Sequence, residues 1–226
     1  LERYIHHAMK DLPHWEWRGF GGLTSRFADR FCSLPVVLPS ERLIDLYLWK
    51  KGLQINIKLR KGAQNGLKFK RLKNKNGALE QWLEDAAEVF PFPLGDSAWQ
   101  ILKKELQNEE DTLPSPPTVP LTRSNTLKYL QQTGYELIEV HKIRESRLVQ
   151  VSEGAAKVEW CCISRPQSII SVGLENWTEG DNSTPSEEEQ IKNLEQAIKS
   201  LELQKQPLKV MNYLNALDYW ANDQKI

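Results

Sequence analysis

Residues 54–72 read QINIKLRKGAQNGLKFKRL, and their alternation decides the fold. Gln54, Asn56, Lys58 and Arg60 fall on one side of a period-two pattern and Ile55, Ile57 and Leu59 on the other, which is the signature of a β-strand with one buried face. Residues 67–72 (LKFKRL) repeat it, with Lys68 and Lys70 alternating against Leu67 and Phe69. The Gly-containing loop at 61–66 joins the two runs as an antiparallel hairpin. Lys58, Arg60, Lys68 and Lys70 then share one face at cross-strand distance, which is unfavourable unless something negative neutralises them.

A solvated outer face is the plain alternative, since lysine and arginine are usually exposed. Two observations weigh against it. The opposite face of 54–60 is wholly apolar and can pack under helices, which leaves the basic face either in water or inside a barrel. A third strand of the same kind recurs far away, carrying Val140, Lys142 and Arg144. Ten Lys and Arg fall between Lys50 and Lys75, with no Asp or Glu from Leu46 to Leu79. Such a block could bind RNA, with Trp49 and Phe69 to stack on bases, but overall neutrality and the lack of an RNA-binding motif make nucleic acid the weaker reading.

Working outward, 14–20 (HWEWRGF) and 44–49 (IDLYLW) also alternate as strands, and 135–148, 155–164 and 168–175 form a second strand group. A short lead-in helix is predicted within 1–10, and helices over 24–32, 78–89, 97–107 and part of 121–133. Ser186 with Glu189 resembles a capping box opening a helix over 187–203, and a last helix spans 208–220. Strands, helices, strands and helices in that order fit an α+β fold, here an antiparallel eight-stranded β-barrel with flanking and C-terminal helices. The expected organisation is one domain over 1–226: a strand half at 14–107, an acidic, Pro-rich connection at 109–120, a second strand half at 121–176, and C-terminal helices at 186–222. Those last helices could cap the barrel or form a homodimer surface.

The 226 residues are 40% hydrophobic and 27% charged, an ordinary globular composition. Thirty basic and thirty acidic residues cancel, so any anion site must be local. Three cysteines, two of them adjacent (Cys161, Cys162), make neither an even disulfide framework nor a CxxC zinc pair, so both are read as packing residues and a reducing cytoplasm fits. Trp49, Trp82, Trp99 and Trp220 read as core or helix-packing aromatics. No apolar run approaches the roughly 20 residues of a membrane helix. The chain begins at Leu1 rather than Met, so a removed leader stays open.

Carboxylates complete the pattern. Glu16, Asp45, Glu159 and Glu175 all lie in apparent strands, where acidic residues are depleted. The order of motifs resembles the CYTH, or triphosphate tunnel, superfamily: an acidic first strand ending in a base (His14, Glu16, Arg18), a DxY strand (Asp45, Tyr47), and alternating basic strands (Lys58, Arg60; Lys68, Lys70). VxKxR (Val140, Lys142, Arg144) and two later acidic strand positions (Glu159, Glu175) follow. The resemblance implies a tunnel-like barrel in which Arg18, Lys58, Arg60, Lys68, Lys70, Lys142 and Arg144 bind a triphosphate or polyphosphate-like anion. It also implies that Glu16, Glu159 and Glu175 hold Mg²⁺ or Mn²⁺, that Asp45 and Tyr47 support the site, and that a metal-positioned water hydrolyses the ligand.

The chain departs from that family pattern in the first strand, where His14 and Arg18 replace a glutamate and a lysine, and in the last, where Gly173 stands for a glutamate. Histidine is a poor ligand for Mg²⁺, which takes oxygen. A non-catalytic anion-binding or interaction module on the same barrel is therefore the alternative to a hydrolase.

Overall fold

The computed structural model describes residues 13–60, 66–84, 89–106, 121–177 and 185–226. The lead-in at 1–10, most of the loop at 61–66, the Pro-rich connection at 109–120 and the loop at 181–184 lie outside the described residues. In chain order the elements are β1 (His14–Gly21), α1 (Ser25–Ser33), β2 (Val36–Trp49), β3 (Ile55–Arg60), β4 (Gly66–Asn76), β5 (Leu79–Glu84), β6 (Phe90–Pro91) and α2 (Asp96–Leu106). They continue as α3 (Arg123–Gln132), β7 (Glu136–Val151), β8 (Gly154–Arg165), β9 (Ile169–Trp177), α4 (Glu187–Ser200), β10 (Leu208–Val210) and α5 (Tyr213–Ala221).

Eight of the strands pair antiparallel in the order β1, β5, β4, β3, β2, β7, β8, β9. The ring closes because β9 returns to β1, with Glu16 opposite Glu175 and Gly21 opposite Ile170. The described residues form a closed eight-stranded antiparallel barrel with five α-helices, an α+β fold. Two short strands extend it: β6 pairs with β4, and β10 with β1. A barrel of this size is wide enough inside for packed side chains or one small ligand.

The apolar faces look outward, under helices. Ile55, Ile57, Leu59, Leu67 and Phe69 pack against Trp99 and Leu102 of α2 and Tyr129 and Leu130 of α3. On the other side Trp15, Trp17, Val158 and Leu174 pack against Leu194 and Ile198 of α4 and against Phe27 and Phe31 of α1. The polar half of each alternation is left to face the barrel interior. Ser186 accepts from Glu189 N–H and the Glu189 side chain answers, so the predicted capping box forms at the start of α4. Ser186→Ala is expected to lower stability by about 1 kcal/mol, read from urea unfolding. A change within experimental error would mean that α4 is held by its apolar face alone.

Two element assignments are corrected. The helix predicted over 78–89 is instead β5, with 85–88 outside the described residues. Leu79 and Trp82 are both buried and three apart, which imitates a helical stripe, yet they bury on opposite faces: Leu79 under α4, Trp82 inside the barrel. Ladder bonds to both β4 and β1 then favour the strand. The single helix predicted over 208–220 divides into β10 and α5, because Leu208, Lys209 and Val210 pair with the end of β1 and Asn212 caps the helix that follows.

Helix α5 closes one end of the barrel. Tyr213, Leu217 and Trp220 pack on Phe20, Tyr47, Val140, Cys161 and Ile163, a buried cluster that fills that end. Cys161 is a packing residue there, but Cys162, one step along β8, is exposed, and that part of the sequence reading is corrected. Trp82, Trp99 and Trp220 are buried as expected. Among the described residues no helix is long and apolar enough to cross a membrane.

Candidate functional site

The remaining barrel interior is a cavity of about 610 Å³. Strand alternation aims at it the residues that the sequence singled out: Glu16 and Arg18 from β1, Tyr47 from β2, Lys58 from β3, Lys68 and Lys70 from β4, Lys142 and Arg144 from β7, Glu159 from β8 and Glu175 from β9 all line it. The register sharpens the hairpin prediction, since Lys58 lies directly opposite Lys68 and Asn56 opposite Lys70. Arg60 pairs with Asp45 in the backbone ladder, and its side chain lies outside the described residues. Asp45 sits behind the lining, fully buried, 2.8 Å from Lys142 Nζ.

Three ion-pair networks organise this interior. In the first, Lys70 binds Glu16 and also reaches Glu84 at 3.2 Å, while Lys68 holds Glu84 at 2.8 Å. His14 Nε2 lies 2.8 Å from the same Glu16 oxygen. Burial alone would raise the Glu16 carboxyl, but Lys70 and His14 outweigh it and hold it well below the usual range. Glu84 likewise falls to about 2, burial being outweighed by Lys70 and Lys68.

In the second, Arg18 donates through Nη1 and Nη2 to one oxygen of Glu159, both at 3.1 Å, and through Nη1 to Ser171 at 3.0 Å. Arg144 donates to the other Glu159 oxygen at 3.3 Å and, through Nε, to Glu41 at 2.9 Å. Burial would raise the Glu159 carboxyl; Arg18, Lys142 and Arg144 instead hold it at about 2. The third is the Asp45–Lys142 pair, with the Lys142 ammonium 5.1 Å from the centre of the Tyr213 ring. Burial disfavours that charge, yet Tyr213, Tyr47 and Asp45 raise the Lys142 pKa well above its ordinary value.

Sequence reasoning missed several lining residues. Lys157, bound to Glu175, alternates with Glu159 on β8 and was legible from period two. Glu80 and Glu84 were hidden by reading their strand as a helix. Tyr213 had no local signal, because a helical tyrosine reaches the cavity only through the way α5 closes the barrel. Gly173 faces the Arg18 guanidinium: a Cβ there would lie 2.6 Å from Nη2 and 2.8 Å from Cζ. The arginine in β1 and the bare position in β9 are thus two halves of one arrangement.

Mg²⁺ or Mn²⁺ needs several oxygen ligands free to coordinate. Among the described residues His14, Glu16 and Glu175 bring one ligand atom each within 4.8 Å of one another. Both carboxylates of that group already hold a lysine, Glu16 with Lys70 and Glu175 with Lys157, and Glu159 is shared by two arginines. This donor set does not suit a hard divalent cation, which would have to displace ammonium groups to enter.

No family model and no curated protein matches the chain. Among solved structures it is similar to a conserved hypothetical protein from Pyrococcus furiosus, at 13% identity over 88% of this chain and 98% of that one, TM-score 0.47. A protein from Pyrococcus horikoshii OT3 is 16% identical over 89% of this chain and 97% of that one, TM-score 0.47. A Bacillus halodurans protein provisionally assigned as an adenylate cyclase is 11% identical over 84% of this chain and 91% of that one, TM-score 0.37. At such identities and TM-scores, the fold is read from the strand pairing and the function from the site's own residues.

Proposed function

We propose that this chain is a divergent CYTH-type barrel that binds a small polyanion of the triphosphate or polyphosphate class in its interior. The observation that carries the reading is convergence: seven basic side chains from five strands, Arg18, Lys58, Lys68, Lys70, Lys142, Arg144 and Lys157, line one cavity of about 610 Å³. A volume of that order suits a small ligand. Among the described residues the buried amide oxygens of Asn56 and Asn176, both in the cavity lining, have no hydrogen-bond partner. Buried polar atoms are normally satisfied, so these acceptors mark a place for a donor such as water beside the ligand. Five carboxylates share the lining and pair with most of its cations, so an incoming anion exchanges partners rather than entering a bare cationic tube.

Calorimetric titration of the full chain with inorganic tripolyphosphate, with orthophosphate as the comparison, tests the reading. Tripolyphosphate is expected to bind more tightly because it spans more than one cation. Lys58→Ala, which removes a cation from the wall nearest Tyr47, is expected to weaken binding by about tenfold, the value of one charge-assisted hydrogen bond. Absence of binding at millimolar tripolyphosphate in every buffer would sink the reading.

A further inference from the structure

We propose that the Arg18 guanidinium takes the place of a divalent cation in this barrel, so that the polyanion is held without metal and the cavity is a binding site rather than a hydrolytic one. The inference rests on the anion-binding reading above and specifies how that site works.

The first support is the seat. Gly173 presents bare backbone to the guanidinium, and any side chain there would collide with Cζ and Nη2, as the 2.8 and 2.6 Å approaches show. A side chain at 173 would push the guanidinium out of its present seat, so the space that a β9 side chain could fill is given to a cation. Glu159, Ser171 and the face of Tyr213, whose ring centre is 5.0 Å from Cζ, hold the group in place.

The second support is the state of the carboxylates. Glu16 is engaged by Lys70, Glu175 by Lys157, and Glu159 by Arg18 and Arg144. A divalent ion entering here would have to evict two or more half-buried cations, each of which would then lack its partner. These pairs come from five different strands and are fixed by the barrel's register, not by one mobile side chain.

The third is chemical equivalence in binding and its absence in catalysis. A metal bridges two oxygens of a polyphosphate, and a planar guanidinium does the same with parallel N–H donors. Among the described residues Glu159 and Ser171 take three of the five Arg18 N–H groups, and Arg18 lines the cavity, where a ligand would meet the other two. A guanidinium cannot, however, lower the pKa of a bound water as a metal does, so the arrangement grips a polyphosphate without generating the nucleophile that would cleave it.

The test is calorimetric titration of the full chain with inorganic tripolyphosphate in EDTA and in Mg²⁺ or Mn²⁺ buffer, alongside titration of Mn²⁺ alone followed by the paramagnetic resonance of the free ion. Affinity in EDTA is expected to stay within about threefold of that with metal, and the free Mn²⁺ signal to be unchanged by protein. Arg18→Lys, which keeps the charge but loses the fork, is expected to weaken binding in EDTA by about tenfold. Gly173→Ala, checked for folding by circular dichroism, should weaken it similarly by dislodging Arg18. Binding that appears only with metal, stoichiometric Mn²⁺ uptake, or an Arg18→Lys variant as tight as the parent in EDTA each overturns the inference and leaves anion binding standing. No binding in either buffer overturns both.

Discussion

Asp45→Ala is expected to destabilise the protein by about 3–5 kcal/mol, because it leaves the Lys142 ammonium buried without its counter-charge. Asp45 is wholly buried and Lys142 is 5% exposed, so water cannot take over the lost contact without opening the barrel. The neighbouring faces of Tyr213 and Tyr47 soften the loss, but a ring quadrupole offers on the order of 1–2 kcal/mol, less than the carboxylate it would replace. Chemical denaturation reads the effect as a lower midpoint with an unchanged slope. Asp45→Leu combined with Lys142→Met should recover most of the stability, since a buried ion pair contributes little net against apolar side chains of similar size. If Asp45→Ala alone costs less than about 1 kcal/mol, Lys142 is not held in the buried pair and that account of the barrel floor fails.

Acid is expected to unfold this barrel from within. The carboxyls of Glu159 and Glu84 are both held at about 2 in the folded protein against an ordinary 4.5, and Glu16 is held low as well. A depressed folded pKa contributes stability above the unfolded value, and that contribution is lost as pH falls from about 4.5 towards 2. For Glu159, with 14% of its side chain exposed, the loss is on the order of 3 kcal/mol. Glu84 is more exposed and contributes less for its shift. Since a domain is stabilised by only about 5–15 kcal/mol, these groups together remove a large fraction of the total. Tryptophan fluorescence during denaturant unfolding at stepped pH should show stability roughly flat above pH 5 and falling steeply below it. Glu159→Gln should flatten that slope while lowering stability at neutral pH. A parent protein equally stable at pH 5 and pH 3 would show that the interior carboxylates are not ion-paired as described.

The barrel's polar interior was legible because alternation is a local property. Ile57 against Lys58, or Phe69 against Lys70, declares two faces within a few residues, and the wholly apolar one needs a helix over it. Glu80 and Glu84 were not legible, because the same apolar spacing in 78–89 serves a helix with one buried stripe or a strand buried on both sides. Only a strand on each side, β4 and β1, decides between them. The pairing of Arg18 with Glu159 was equally hidden. Each residue was recognised, but they stand 141 positions apart and meet because β9 lies between β1 and β8 in the closed ring. Gly173 read as a ligand lost, whereas in the folded chain it is the space in which the guanidinium sits.

The sequence by itself therefore determined seven of the eight barrel strands, their sidedness and most of the charges that a closed barrel would turn inward, because side-chain direction along a strand follows from the backbone alone. Tertiary structure decided which charge meets which, that α5 closes one end, and that the carboxylates serve lysines and arginines before they can serve a metal. Those outcomes depend on register and ring closure between strands far apart in the chain, and Coulomb energies at 3 Å change sign of consequence with a shift of a single residue in that register.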